Sequence, residues 1–187
     1  MPHKTNQVRI IAGQWRGRKI HFPALPGLRP TPDSVKETLF NWLAPYIKGK
    51  SCLDCFAGSG ALGFEALSRG AEHVVMIDRQ VSIIKQLKQT ATQLQAEKVD
   101  IIQGAAPYCL KYHATQPFDI VFLDPPFNQQ IIENCVHWLE NNNHLNKNAY
   151  IYMEAESLKG KLDLHNGWQM LYNKKSGRVC YYLFQRI

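Results

Sequence analysis

The sequence predicts an α/β domain, a mainly parallel sheet covered by helices on both faces. Three observations carry this expectation. From residue 51 onward, short apolar β-like runs alternate with helical patterns, which is how a parallel sheet with crossover helices is written. A glycine-rich turn joins the first of those runs to its helix. Two further β-like runs, WQMLYNKK and RVCYYLFQR, are joined through Ser176-Gly177 and read as an antiparallel hairpin.

The elements follow in order. VRIIA (8 to 12) and RKIHF (18 to 22) flank GQWRG and predict a hairpin with Gly13 and Gly17 in its turn. Pro23, Pro26, Pro30 and Pro32 then make a stiff, non-helical connector. Thr31-Pro32 reads as a helix start, with Thr as N-cap and Pro at the first helical position. Val35, Leu39, Trp42, Leu43 and Tyr46 share one face of that helix. Next come a strand in SCLDCF, a helix in ALGFEALSR, a strand in HVVMID and an amphipathic helix in QVSIIKQLKQTATQLQAE. VDIIQ is a strand, AAPYCLKYHA a helix, FDIVFLD a strand, 129 to 142 a helix and AYIYME a strand. The expected organisation is a basic hairpin arm with its connector over residues 1–30 and one α/β domain over residues 31–187.

Composition bounds the partners. The net charge of +7 favours an acidic partner such as nucleic acid, with a solvated basic face as the plainer alternative. Residues 1 to 32 hold no Asp or Glu but carry Lys4, Arg9, Arg16, Arg18, Lys19 and Arg29. No apolar run approaches a membrane span, and MPHKTNQVR lacks a signal-peptide core, so the cytoplasm is the expected compartment. Cys52 and Cys55 have CxxC spacing, yet residues three apart on a strand face opposite ways and cannot share a metal. No metal site is expected.

The glycine loop DCFAGSGALG places Gly58, Gly60 and Gly63 in GxGxxG spacing between a strand and a helix, and Asp78 ends the next strand. That layout suits an adenosine-bearing ligand, with Asp78 positioned for ribose hydroxyls. Asp54, directly before the loop, would repel a pyrophosphate but attract the cationic sulfur and ammonium of a sulfonium cofactor. The other reading of Asp54 is a loop-capping residue. IVFLDPPF brings a second strand end towards that loop, because the fourth strand of such a sheet lies beside the first. Asp124 offers a carboxylate, Pro125 a carbonyl held by a rigid turn, and Phe127 a flat face. Two acceptors beside a stacking ring suit the exocyclic amine of an unstacked nucleobase.

LDCFAGSG and LDPPF resemble the cofactor-binding and catalytic motifs of amino-methyltransferases that use S-adenosylmethionine. RIIAGQWRGRK, GLRPTPDSVKETLFNWL, FAGSGALGFEALSRGA and the DPPF site together resemble the RsmD family, bacterial 16S rRNA guanine-N2 methyltransferases. The resemblance implies a Rossmann-like class I methyltransferase fold, with a seven-stranded, mostly parallel sheet and an antiparallel last strand. It implies that Asp54, Ala57, Gly58 and Gly60 line the methionine side of S-adenosylmethionine and that Asp78 holds the ribose. Arg29 and Thr31 would close over the cofactor, and Asp124, Pro125 and Phe127 would form the amine site. Where many such enzymes carry Asp or Asn for the cofactor adenine this chain has Ala105, which offers backbone contacts only.

The implied partner is 16S rRNA, within the small ribosomal subunit or an assembly intermediate, met by a monomer. Trp15, Arg16, Arg18 and Lys19 would grip the RNA, with Trp15 either stacking on a base or bracing the hairpin. An adenine-N6 methyltransferase on DNA or RNA, and a non-catalytic RNA-binding protein of the same fold, are the alternatives.

Overall fold

In the computed structural model, the alternating side-chain direction of the central strands, which are buried on both faces, sorts the core into two layers. Residues 5–25, 30–113, 116–126, 129–155, 167–177 and 179–187 are described. The strands are β1 (Thr5–Arg9), β2 (Lys19–Pro23), β3 (Ser51–Asp54), β4 (His73–Asp78), β5 (Val99–Gln103), β6 (Phe118–Leu123), β7 (Leu145–Ala155), β8 (Trp168–Ser176) and β9 (Val179–Arg186). The helices are α1 (Asp33–Leu43), α2 (Ala61–Ser68), α3 (Val81–Leu94) and α4 (Gln129–Asn141).

Seven strands form one sheet in the order β5-β4-β3-β6-β7-β9-β8. β3 to β7 run parallel, and β9 is antiparallel to both β7 and β8. This is the expected Rossmann-like arrangement. Cys52, Val74, Met76, Ile120, Phe122 and Tyr152 pack with α1, α2, α3 and the hairpin. Leu53, Cys55, Val75, Ile77, Val121 and Leu123 pack on the other face with Ile132, Val136 and Leu139 of α4. The two thiols of the CxxC therefore face opposite layers, as strand geometry requires. Burial pushes both thiols above the usual range, so neither is a thiolate. Among the described residues no helix is long and apolar enough to cross a membrane.

Three expectations are corrected. The run AAPYCLKYHA is only a 3-10 turn over Tyr108–Tyr112. Pro107 disfavours helical backbone at Ala106, which leaves a stretch too short for a helix, with Leu110 as its one buried residue. The first helix begins at Asp33, with Pro32 at its N-cap, and the Pro32 carbonyl accepts from the N–H groups of Val35 and Lys36. Among the described residues Thr31 makes no capping bond. The first strand ends at Arg9 rather than at residue 12, because the N–H groups of Ile11 and Ala12 turn to Glu65 instead of a strand partner.

That diversion ties the hairpin to the domain. Every residue of α2 is buried, since the helix lies between the sheet and the hairpin. Glu65, fully buried at its centre, accepts from Ile11 N–H at 2.8 Å, Ala12 N–H at 3.1 Å and Arg69 Nε at 2.7 Å. At the end of α2, the Ser68 hydroxyl accepts from Trp15 N–H and donates to the Ala12 carbonyl. The Ser68 carbonyl, left open by the helix end, accepts from Gln14 N–H at 2.7 Å. The chain can come this close only at Gly13: its φ is +82°, and a Cβ there would sit 1.8 Å from the Ser68 oxygen.

Glu65→Ala would leave two buried N–H groups and the Arg69 guanidinium without their acceptor. The expected loss is about 3–5 kcal/mol in urea unfolding, with earlier proteolytic cleavage in the hairpin than elsewhere.

Candidate active site

The strands end where the chemistry is gathered. β3 pairs with β6 through Cys52–Ile120, Leu53–Val121 and Asp54–Phe122, and the Phe122 carbonyl accepts from Cys55 N–H. Asp124 follows two residues beyond Phe122 and so lies on the same face of the sheet as Asp54. On its other side β6 pairs with β7 through Leu123–Met153, which sets Glu154 level with Asp124. Asp54, Asp124 and Glu154 thus stand on one rim, on the α1–α2 face.

The glycine loop is held by backbone contacts. Ala57 N–H donates to the Ile77 carbonyl, Gly58 N–H to Asp78 Oδ2 at 3.1 Å, and Gly60 N–H to the Ala57 carbonyl. Gly58 and Gly60 have φ of +49° and +78°. A Cβ on Gly60 would lie 2.7 Å from both Leu87 and Phe64, and one on Gly63 would meet Met76 on the facing strand. Gly63 therefore permits close helix–strand packing, while Gly58 and Gly60 leave bare backbone at the loop crest. Asp78 accepts from Gly58 and, through its other oxygen, from Gln80 N–H at 2.8 Å. The Asp78 carbonyl accepts from Gly104 N–H, which brings Ala105, exposed on the loop after β5, to the same rim.

Asp54 is buried and accepts from Gly63 N–H at 3.1 Å through Oδ2. The loop-capping role is therefore real. Burial raises its carboxyl from 3.8 to about 7, against the pull of the Gly63 and Phe56 N–H groups and with a further push from Asp78. The Asp124 carboxyl lies well above the usual range, through burial first and then through the nearby Glu154 and Asp54. Burial also raises Glu154, while the hydroxyl of Tyr152, donating to its Oε1 at 2.7 Å, pulls the other way. Among the described residues no ion pair involves Asp54, Asp124 or Glu154. Such a rim accepts hydrogen bonds and attracts a cation.

Sequence reasoning overlooked Glu154, reading it as the end of a strand. The available signal was its place at the carboxyl end of the strand that follows the IVFLDPPF strand in a parallel sheet.

Pro125 is buried behind Asp124 and Pro126 is exposed. Phe127 and Arg29 lie outside the described residues. Thr31 is buried beside a surface groove with Gln7, Arg9, Lys19 and Asp33, on the hairpin side. No hydrogen bond among the described residues joins it to the glycine loop.

The ring of Trp15 is buried in the core, so it braces the hairpin and has no free face for a base, which corrects the stacking alternative. Arg16, Arg18 and Lys19 are exposed. The hairpin turn abuts Ser68, and Arg18 donates to the Gln93 carbonyl at 3.0 Å. Both contacts lie at the C-terminal ends of their helices. The turn is therefore about 12 Å, the length of α2, from the glycine loop. By contrast, β8 brings the exposed Lys174 level with Glu154 through Tyr181 of β9.

A family model described as "Conserved hypothetical protein 95" matches residues 8–185. Ribosomal RNA small subunit methyltransferase D of Escherichia coli strain K12 is 46% identical over 182 residues, covering 97% of this chain and 91% of that protein. The protein of the same name from Haemophilus influenzae is 47% identical over 187 residues, covering 98% and 96%. Among solved structures, the putative methyltransferase yhhF from Escherichia coli superposes with a TM-score of 0.87 at 42% identity, covering 97% and 98%.

The raised Asp54 carboxyl has a measurable consequence. Between about pH 4 and pH 7 the folded chain keeps a proton that the unfolded chain has released, so the contribution of Asp54 to stability falls as the pH rises through that window. Asp54→Asn keeps an oxygen for Gly63 N–H and removes the titration. Urea unfolding of this variant should show a shallower loss of stability across the window than the parent chain shows.

Proposed function

The chain belongs to the RsmD family, through its match to the "Conserved hypothetical protein 95" model, and on that premise we infer its reaction. It is an enzyme that transfers a methyl group from S-adenosylmethionine to the exocyclic N2 amine of a guanine in 16S ribosomal RNA. The observation that carries this reading is the β3–β6 pairing, which sets the Asp124–Pro125 strand end beside the glycine loop.

The residues present fit the cofactor. Asp54 is a buried carboxyl without an ion-pair partner among the described residues, suited to the cationic methionine end. The crest of the loop, Ala57, Gly58 and Gly60, offers backbone without side-chain bulk. Asp78 stands at the end of β4 for the ribose, and Ala105 contributes only backbone to the adenine. Arg29 and Thr31 would cover the site. When bound, S-adenosylmethionine supplies the electrophilic methyl.

The chain's own part is to position and polarise the amine. The Asp124 carboxyl, ionised when a cationic ligand stands beside it, and the Pro125 carbonyl accept the two amine hydrogens, which draws the nitrogen lone pair out of the ring system and aims it. Phe127 stacks on the unstacked base and holds it. After transfer the nitrogen sheds a proton to the carboxylate rim, which passes it to water. No strong base is needed, because the methylated nitrogen is far more acidic than a carboxylic acid.

The RNA is gripped over a wider area. Residues 1–30 act as a basic arm and residues 31–187 as the methyltransferase domain. Arg16, Arg18 and Lys19 reach RNA some distance from the target base, and RNA shape presents that base. The substrate is the small subunit or an assembly intermediate, met by a monomer in the cytoplasm.

Asp124→Ala should lower methyl transfer to 16S rRNA by ~10²-fold or more while leaving affinity for S-adenosylhomocysteine nearly unchanged. Labelled-methyl transfer and calorimetry check the two halves, and near-parental turnover would show Asp124 to be structural. Replacing Arg16, Arg18 and Lys19 together with Ala should weaken RNA binding and flatten its salt dependence. The rate within the bound complex should not change, because these residues lie far from the rim. A salt series that matches the parent would make the hairpin a structural cap only.

A further inference from the structure

We propose that Glu154, locked by Tyr152 beside Asp124, selects guanine over other amine-bearing bases by accepting a hydrogen bond from the guanine N1–H. The inference rests on the function given above and adds a residue to the same site.

The Leu123–Met153 pairing makes Asp124 and Glu154 the next residues on adjacent parallel strands, so their side chains leave the sheet side by side on one face. Tyr152, two residues earlier on the same face, is fully buried and cannot move its hydroxyl far. That hydroxyl donates to Glu154 Oε1 at 2.7 Å and fixes the carboxylate, while Oε2 makes no hydrogen bond among the described residues. Glu154 itself is only partly buried. A residue that served the core alone would not spend a buried phenol on orienting a carboxylate at the open end of the sheet.

The chemistry of the bases makes the choice. Beside its N2 amine, guanine carries a ring N1–H, so its edge presents donors in adjacent positions. Asp124 and Pro125 take the amine, and the neighbouring carboxylate takes N1–H. Adenine also has an exocyclic amine, but the ring nitrogen beside it bears a lone pair. A carboxylate facing that lone pair gains no bond and meets repulsion. Sites built to bond a substrate N–H discriminate steeply against an analogue that lacks it, because their buried polar groups are then left unpaired. DPPF alone does not separate the two bases, and Glu154 supplies the missing distinction.

The base 2-aminopurine keeps the N2 amine but has a lone pair at N1 and no oxygen at C6, so the contact is read from how substitution of Glu154 changes the preference between the two bases. The substrate is small-subunit RNA reconstituted with its proteins, carrying either guanine or 2-aminopurine at the methylated position. The parent enzyme should prefer guanine by ~10²-fold or more in kcat/KM. In Glu154→Gln the amide can turn its NH₂ towards the lone pair, so the preference should fall below ~10-fold. Affinity for S-adenosylhomocysteine should stay at the parental value. Tyr152→Phe, which keeps Glu154 but frees it, should give an intermediate preference and carries the test should Glu154→Gln misfold. A Glu154→Gln enzyme that keeps the full preference, or loses both activities in equal proportion, overturns the inference. A parent enzyme that methylates neither RNA overturns the functional reading beneath it instead.

Discussion

The pairing of β3 with β6 is the constraint on which the site depends. These two strands are separated by more than sixty residues, yet their register sets the carboxyl groups of Asp54 and Asp124 on one rim. In a parallel sheet every strand delivers its carboxyl end to the same side, so three pairings suffice to gather Asp78, Asp54, Asp124 and Glu154. A one-residue slip of β6 would send Asp124 to the opposite face, among the apolar side chains of α4. The apolar alternation of FDIVFL, with Phe122 on one layer and Val121 and Leu123 on the other, is what forbids the slip.

The same rim is a liability to the fold. Carboxyl groups drawn out of water and placed near one another resist ionisation, and the structure gives them N–H donors and a phenol but no cation among the described residues. Acidic groups gathered this closely, with no counter-charge among the described residues, disfavour one another. The stabilisation comes from elsewhere: the two apolar layers, and the Glu65 and Ser68 contacts that fasten the hairpin to α2.

Much of this was legible in the sequence. Strand–helix alternation gave the sheet, GxGxxG between SCLD and ALGF gave the loop, and period-two geometry put Cys52 and Cys55 on opposite layers. What remained hidden depended on contacts far apart in the chain. Nothing local distinguishes Glu65 from a solvated helix residue, because its partners Ile11 and Ala12 lie more than fifty residues earlier. Trp15 lies between Gln14 and Arg16 in a glycine-flanked turn, and nothing local chooses between stacking on a base and bracing the hairpin until its ring is seen buried in the core. The 3-10 turn at Tyr108–Tyr112 differs in kind, since Pro107 stands in the sequence and disfavours helical backbone at Ala106. Glu154 was visible too, but its importance appears only when its strand is laid beside Asp124.

The position of β9 bears on how the chain is made. It follows β8 in sequence but lies between β7 and β8 in the sheet. Synthesis proceeds from the N-terminus, so β8 emerges with no strand to pair with, and the outer edge of β7 stays open until β9 arrives. During that interval an unpaired strand edge carrying Tyr150, Ile151 and Tyr152 is exposed to other chains. The completed β9 closes both gaps at once, pairing with β7 on one side and β8 on the other, so the molecule acquires its full sheet in a single late event rather than strand by strand.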